Sequence, residues 1–141
     1  MTFRVTHARL REFSSATGET DPIYFHRDSA EAQDLPDVMA PPTWVIVVIA
    51  PALERFLNDE GFSFGADVVV HSTQRFDYRR PVCAGQDLDC DLTLERRRVR
   101  GVDTILDVVA TVREHVTEEV LVIAHTTVLI RSADAAQREV S

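Results

Sequence analysis

The sequence predicts an α+β fold in which a long antiparallel sheet wraps around one apolar helix. Three observations lead there. The first half of the chain is helical and loop-rich, and the second half is strand-rich. One segment, APPTWVIVVIAPALERFLNDEG, is apolar on every side between Trp44 and Ile49, so a helix there has to be buried on every side. From Ala66 onward the hydrophobic period becomes two, the repeat of a strand with one covered face.

The elements follow in order. THARLREFSSA, Thr6 to Ala16, reads as a short helix with Thr6 as its cap and Leu10 and Phe13 facing inward; Gly18 ends it. Asp28 is placed to cap a second short helix through Gln33, with Pro36 terminating the turn that follows. The central helix spans about residues 43–58, with Thr43 as its cap or first residue. The β-branched run Val45 to Ile49 suits a strand on propensity alone, but the length and the LERFLN ending favour a helix, in which Pro51 should make a kink or start a new turn. Gly61 and Gly65 close the segment.

Val68, Val70, Ser72, Gln74 and Phe76 then alternate with their neighbours, and Pro81 and Gly85 mark a turn. Leu88, Cys90, Leu92 and Leu94 alternate against Asp89, Asp91, Thr93 and Glu95, a strand with one wet face. Gly101 separates it from a strand over 104–115. The last strand, Val120 to Arg131, is apolar on both faces and is expected inside the sheet. Residues 1–132 are read as one domain and 133–141 as a polar, frayed tail. A sheet wrapped around a nearly all-apolar helix is the hotdog arrangement.

At 141 residues and 45% apolar, the chain has material for one real core. The formal charge of −8 argues against nucleic acid. No apolar run reaches the roughly eighteen residues of a membrane span, and MTFRVTHARL has no secretory core. Cys83 and Cys90 lack metal-type neighbours and read as reduced thiols of a cytoplasmic protein. All 15 basic residues are arginine, which removes Schiff-base lysines and the phosphate-loop lysine from consideration. No metal site and no cofactor are expected; His7, His115 and His125 are scattered.

The chemistry concentrates in ETDPIYFHRD, Glu19 to Asp28. Asp21 and His26 are five residues apart, a spacing at which an acid and an imidazole can share one water. Asp21-Pro22 is equally an N-cap followed by proline at the first helical position. His71 in VVVHSTQRF reads as a half-buried histidine satisfied by a neighbour. Arg96, Arg97, Arg98 and Arg100 form the most basic spot of the chain, either a solvated edge that discourages strand pairing or a seat for a pantetheine or nucleotide phosphate. Arg79 and Arg80 are a second such candidate.

SSATGETDPIYF, then DVMAPPTW, then HSTQRFDYRRPVCAGQDL resemble the N-terminal MaoC-like dehydratase domain family over about residues 3–131. The resemblance extends to the accessory subunits of two-subunit (3R)-hydroxyacyl-thioester dehydratases. It implies a hotdog fold, pairing with a second hotdog subunit as hetero- or homodimer, and acyl thioesters of coenzyme A or acyl carrier protein as substrates. Catalytic members carry an acid two residues before an Asn-Pro and a histidine two residues after that proline. Aligned on Pro22, Glu19 takes the acid's place and Tyr24 the histidine's. A phenol, with its usual pKa of about 10, is a poor base at neutral pH.

The resemblance thus implies an accessory subunit that shapes the acyl tunnel while its partner supplies the dyad, in fatty-acid or polyketide synthesis. Pro41, Pro42, Thr43 and Trp44, with Arg79 and Arg80, are then the expected substrate-binding residues, and Ala40, Pro41 and Pro42 stand at the tunnel mouth. The alternatives are a self-sufficient hydratase using Asp21 and His26, a hotdog thioesterase with Glu54 as its acid, and a non-catalytic acyl-binding partner.

Overall fold

The computed structural model describes residues 2–63 and 65–132. The expected tail, 133–141, lies outside the described residues. The order along the chain is β1 (Phe3–Arg4), α1 (His7–Ala16), a single 3₁₀ turn (Pro22–Tyr24), α2 (Arg27–Glu31), α3 (Ile46–Asp59), β2 (Val68–Tyr78), β3 (Asp87–Arg100), β4 (Asp103–Glu114) and β5 (Val120–Arg131). The five strands form one antiparallel sheet in the order β1-β3-β4-β5-β2, curled around α3 as in a hotdog.

Thr6 caps α1 as expected, its hydroxyl accepting from the Arg9 N–H at 3.2 Å. Leu10 is fully buried while Phe13 is half-buried, and Gly18, at φ 77°, turns the chain out in a conformation that other residues adopt with strain. Two helix starts differ from expectation. Asp28 lies in the first turn of α2, where its charge suits the positive end of the helix, and His26 occupies the cap position with no side-chain bond. The helix then stops at Glu31, because Asp34 takes a left-handed φ of 62° and Leu35 N–H folds back onto the Ala30 carbonyl at 3.1 Å.

The central helix begins at Ile46 rather than Thr43. From Pro41 the chain winds through tight three-residue turns, Trp44 N–H to Pro41 carbonyl at 2.9 Å and Ile46 N–H to Thr43 carbonyl at 3.2 Å, before the wider spacing sets in. The tight winding buries Trp44 and Val45 side by side at 0% exposure. Pro51 sits inside the helix, on its exposed side, and has no N–H to offer the carbonyl one turn before it.

Two clusters make the core. One joins Trp44, Val48 and Ile49 to Leu88, Val112, Val122 and Ala124; the other joins Leu53 and Leu57 to Leu106, Val108, Val128 and Ile130. Each such buried Leu or Ile contributes about 2 kcal/mol of apolar burial. β5 lies inside the sheet between β4 and β2, as its two apolar faces require.

β2 shows a second difference. A bulge between His71 and Thr73 shifts the alternation by one residue. Gln74 and Phe76 face the helix, opposite Thr126 and Ala124, but on the other side of the bulge it is Val69 and His71 that face it, opposite Ile130 and Val128. Val68 and Val70 therefore turn outward, 48% and 47% exposed. β2 is an edge strand, and its outer edge pairs with no strand of the described residues.

Candidate functional site

Three segments that are distant in sequence meet at the entrance to α3. The loop 19–26 leaves α1 with Glu19 N–H bonded to the Ser14 carbonyl at 2.9 Å. Asp21 caps the 3₁₀ turn, its Oδ1 accepting from Ile23 N–H at 3.0 Å, with Pro22 at the first position. The Ile23 carbonyl then accepts from Met39 N–H at 3.1 Å, which fastens the loop to the 38–42 segment. That segment is itself held by Ala40 N–H to the Val82 carbonyl at 2.7 Å and Ala84 N–H to the Val38 carbonyl at 2.9 Å.

Met39, Pro42, Tyr78, Arg79, Arg80 and Pro81 line a pocket of about 340 Å³ there. The Tyr78 hydroxyl donates to the Pro42 carbonyl, and burial pushes its pKa up to about 12. Arg80 is committed to an ion pair with Glu119. Arg79 is exposed and, among the described residues, has no carboxylate partner, which leaves its guanidinium available to the pocket.

The expected site residues divide accordingly. Pro42, Arg79 and Arg80 converge on this pocket, Thr43 is exposed beside it, and Pro41 is buried beneath. Trp44 is in the core at 0% exposure, packed edge-on against Phe3 at 5.8 Å, with its indole N–H buried and unpartnered. Asp21 and His26 are both exposed, and no hydrogen bond joins them; the Asp21 carboxylate serves the turn, and the His26 ring has no polar partner among the described residues. Tyr24 is half-buried, and its pKa is raised by burial, then by the charges of Glu19 and Asp21. A phenol, whose usual pKa is about 10, is a poor base at neutral pH.

A second pocket, of about 290 Å³, opens between α3 and the edge strand β2. Its walls are mainly apolar: Ile46, Ala50, Pro51, Leu53, Val69 and Val128. Glu54 and His71 are its two ionisable members. His71 is exposed rather than half-buried, because the bulge sets it at the open rim, and its Nε2 lies 2.8 Å from Gln74 Oε1. Sequence periodicity hid this role for Val69 and His71, since only the bulge puts them on the helix-facing side. Among the described residues no group of three His, Cys, Asp or Glu side chains could hold a metal ion, and no helix is long and apolar enough to cross a membrane.

The family model for the FAS1-like dehydratase domain region matches residues 1–124. A UPF0336 protein of Streptomyces coelicolor is 34% identical over 134 residues, 95% of this chain and 89% of its own length. Among solved structures, the HadBC (3R-hydroxyacyl-ACP dehydratase) complex of Mycobacterium tuberculosis superposes with a TM-score of 0.80 at 23% identity, over 92% of this chain and 90% of the other. A MaoC-like dehydratase superposes with a TM-score of 0.79 at 25% identity, over 94% of this chain and 40% of the other. With the hotdog sheet, the central helix and the proline-anchored loop in place, the chain belongs to the MaoC-like hotdog family, within its FAS1-like dehydratase domain region.

Proposed function

We propose that this chain is the accessory subunit of a (3R)-hydroxyacyl-thioester dehydratase and acts beside a second hotdog subunit that carries the acid–imidazole pair. One observation carries the reading. The position that aligns with the histidine of catalytic relatives is Tyr24, a phenol whose usual pKa of about 10 makes it a poor base at neutral pH. Dehydration removes a proton from C2 of the acyl chain and gives one to the departing C3 hydroxyl, leaving an enoyl thioester and water. It needs one group that accepts and one that donates near neutral pH.

The unpaired edge of β2 supports a partner, because an exposed apolar edge is a template for another strand. Antiparallel pairing of β2 with the partner's equivalent strand would extend the sheet and close the groove over Val69, His71, Ile46 and Ala50. The groove's apolar walls suit an acyl chain, and Arg79 suits a phosphate of the thioester's carrier. The mycobacterial HadBC structure is of a complex, which supports a two-subunit arrangement. Two unpaired thiols fit a reducing cytoplasm.

The test is dehydration of a 3-hydroxyacyl thioester by the pure chain and by the chain reconstituted with a hotdog subunit that carries the dyad. Turnover only in the mixture supports the reading. Turnover by the chain alone that vanishes in His26→Ala sinks it and favours the Asp21/His26 pair. Glu54 and His71 lining one groove favour a second reading, an acyl-thioesterase. Its sign is free thiol released from acyl-CoA by the pure chain and lost in Glu54→Gln.

A further inference from the structure

The β3–β4 hairpin turns at Gly101 and Val102, level with the ends of β5 and β2, and its end collects four of the chain's arginines within residues 96–100. Register sets their directions. Arg96, Arg98 and Arg100 stand opposite Asp107, Ile105 and Asp103, while Arg97 stands opposite buried Leu106 and reaches over the Phe62 ring at 5.6 Å. The nearby carboxylates are mostly spent elsewhere. Asp107 holds Arg98 at 3.1 Å and accepts from the Thr127 hydroxyl at 2.7 Å, and Asp103 holds Arg131 at 2.8 Å. Glu95 lies at the bulge that precedes the tip. Arg96, Arg97 and Arg100 are exposed and, among the described residues, have no carboxylate within ion-pair distance.

Between and beyond them, Val99 and Val102 are 72% and 46% exposed. Arginines that surround exposed apolar side chains are the composition of a protein-docking patch. This patch is positive on a chain of charge −8, which selects the partner. A nucleic acid or an anionic bilayer extends beyond the tip and meets the acidic remainder of the molecule, whereas a compact acidic protein touches the tip alone.

We infer that the β3–β4 hairpin tip is the docking surface for an acidic acyl carrier protein that delivers the thioester. This inference rests on the dehydratase reading above. Antiparallel pairing along β2 places this chain's Val68 end beside the partner's Tyr78 end, where the partner's catalytic loop lies. Val68, Arg131, Asp103 and Arg100 share one cross-strand row, so the tip is three strand spacings from the seam, about 14 Å. An extended phosphopantetheine arm spans such a distance. The carrier would bind this subunit and present its cargo to the other.

The experiment titrates holo acyl carrier protein, without an acyl group, into the full chain by calorimetry at low and high salt. The wild type is compared with Arg96→Gln/Arg97→Gln/Arg100→Gln and with Val99→Ser/Val102→Ser. Parallel arms use coenzyme A and phosphatidylglycerol vesicles. The expected result is carrier binding that weakens with salt and falls about tenfold or more in the arginine variant, the scale of a few rim charge pairs. Absence of carrier binding at low salt, or equal binding by the arginine variant, overturns the inference. So does vesicle binding that the arginine variant abolishes while the carrier fails to bind.

These titrations need neither partner nor turnover, so they read docking even if the dehydratase reading fails. In the reconstituted complex the arginine variant should lose turnover of carrier-bound substrate and keep turnover of the coenzyme A thioester. Equal loss of both counts against docking.

Discussion

The hydroxyl of Tyr78, at the end of the edge strand, donates to the carbonyl of Pro42, at the entrance to the central helix. The bond ties sheet to helix where the loop 19–26 and Arg79 also meet. Removing it by Tyr78→Phe should cost about 1 kcal/mol in chemical denaturation, with the native fold retained.

The same phenol makes an alkaline prediction. Its folded pKa is raised above the unfolded value, so the protonated form is stabilised by folding. That contribution is complete below the unfolded pKa of about 10 and is lost as pH rises toward about 12. Phenolate absorbance should therefore rise later than in a free tyrosine and coincide with alkaline unfolding. Early titration of both tyrosines in the folded protein would contradict it.

Asp21 separates structure from catalysis. Asp21→Asn keeps a side-chain oxygen for the Ile23 N–H, whereas Asp21→Ala removes it and should destabilise by about 1 kcal/mol. Turnover of the two-subunit complex should be unchanged by Asp21→Asn. A large loss in the Asn variant, with stability intact, would assign Asp21 an acid role.

His115 and Asp89 form an exposed pair, Nδ1 to Oδ2 at 2.6 Å, which the Thr2 hydroxyl joins at 2.8 Å from Asp89. The hydrogen bond to Asp89 and then its charge raise the His115 pKa, and the bond to His115, followed by that from Thr2, lowers that of Asp89. The histidine's contribution is present below its unfolded pKa and lost as pH rises through the raised folded value. The aspartate's is present above its unfolded pKa and lost as pH falls through the lowered one. The pair is therefore strongest between about pH 4 and 6.5. The melting temperature of His115→Asn should lack the decline that the wild type shows above that window.

Assembly is the fourth matter. Val70→Lys places a charge at an exposed position of the unpaired edge strand. The isolated chain should keep its fold by circular dichroism, while its association with a second hotdog subunit weakens in sedimentation. Unchanged association would show that β2 is not the seam.

Much of this molecule was legible in local pattern. Thr6 as a cap, Gly18 as a stop, the alternation of Leu88 to Leu94 and the doubly apolar Val120 to Arg131 all found the expected elements, because caps, left-handed turns and pleats are set by near neighbours. Asp21-Pro22 likewise read correctly as a cap followed by proline at the first helical position, since that turn is closed by residues two and three positions apart.

Long-range contacts decided the rest. The bulge at Ser72 reverses which valines of β2 meet the helix, and only pairing against β5 reveals it. The tight three-residue turns from Pro41, which bury Trp44, delay the helix to Ile46, against the cap that Thr43 offered. The sequence by itself determined the central helix, the four long strands and the family. The tertiary structure alone decided that, among the described residues, β2 lies at the edge of the sheet, that Arg80 is paired with Glu119 while Arg79 has no carboxylate partner, and that Met39 joins the loop to the pocket. Those relations depend on side chains and backbones brought together from opposite halves of the chain, which no local repeat encodes.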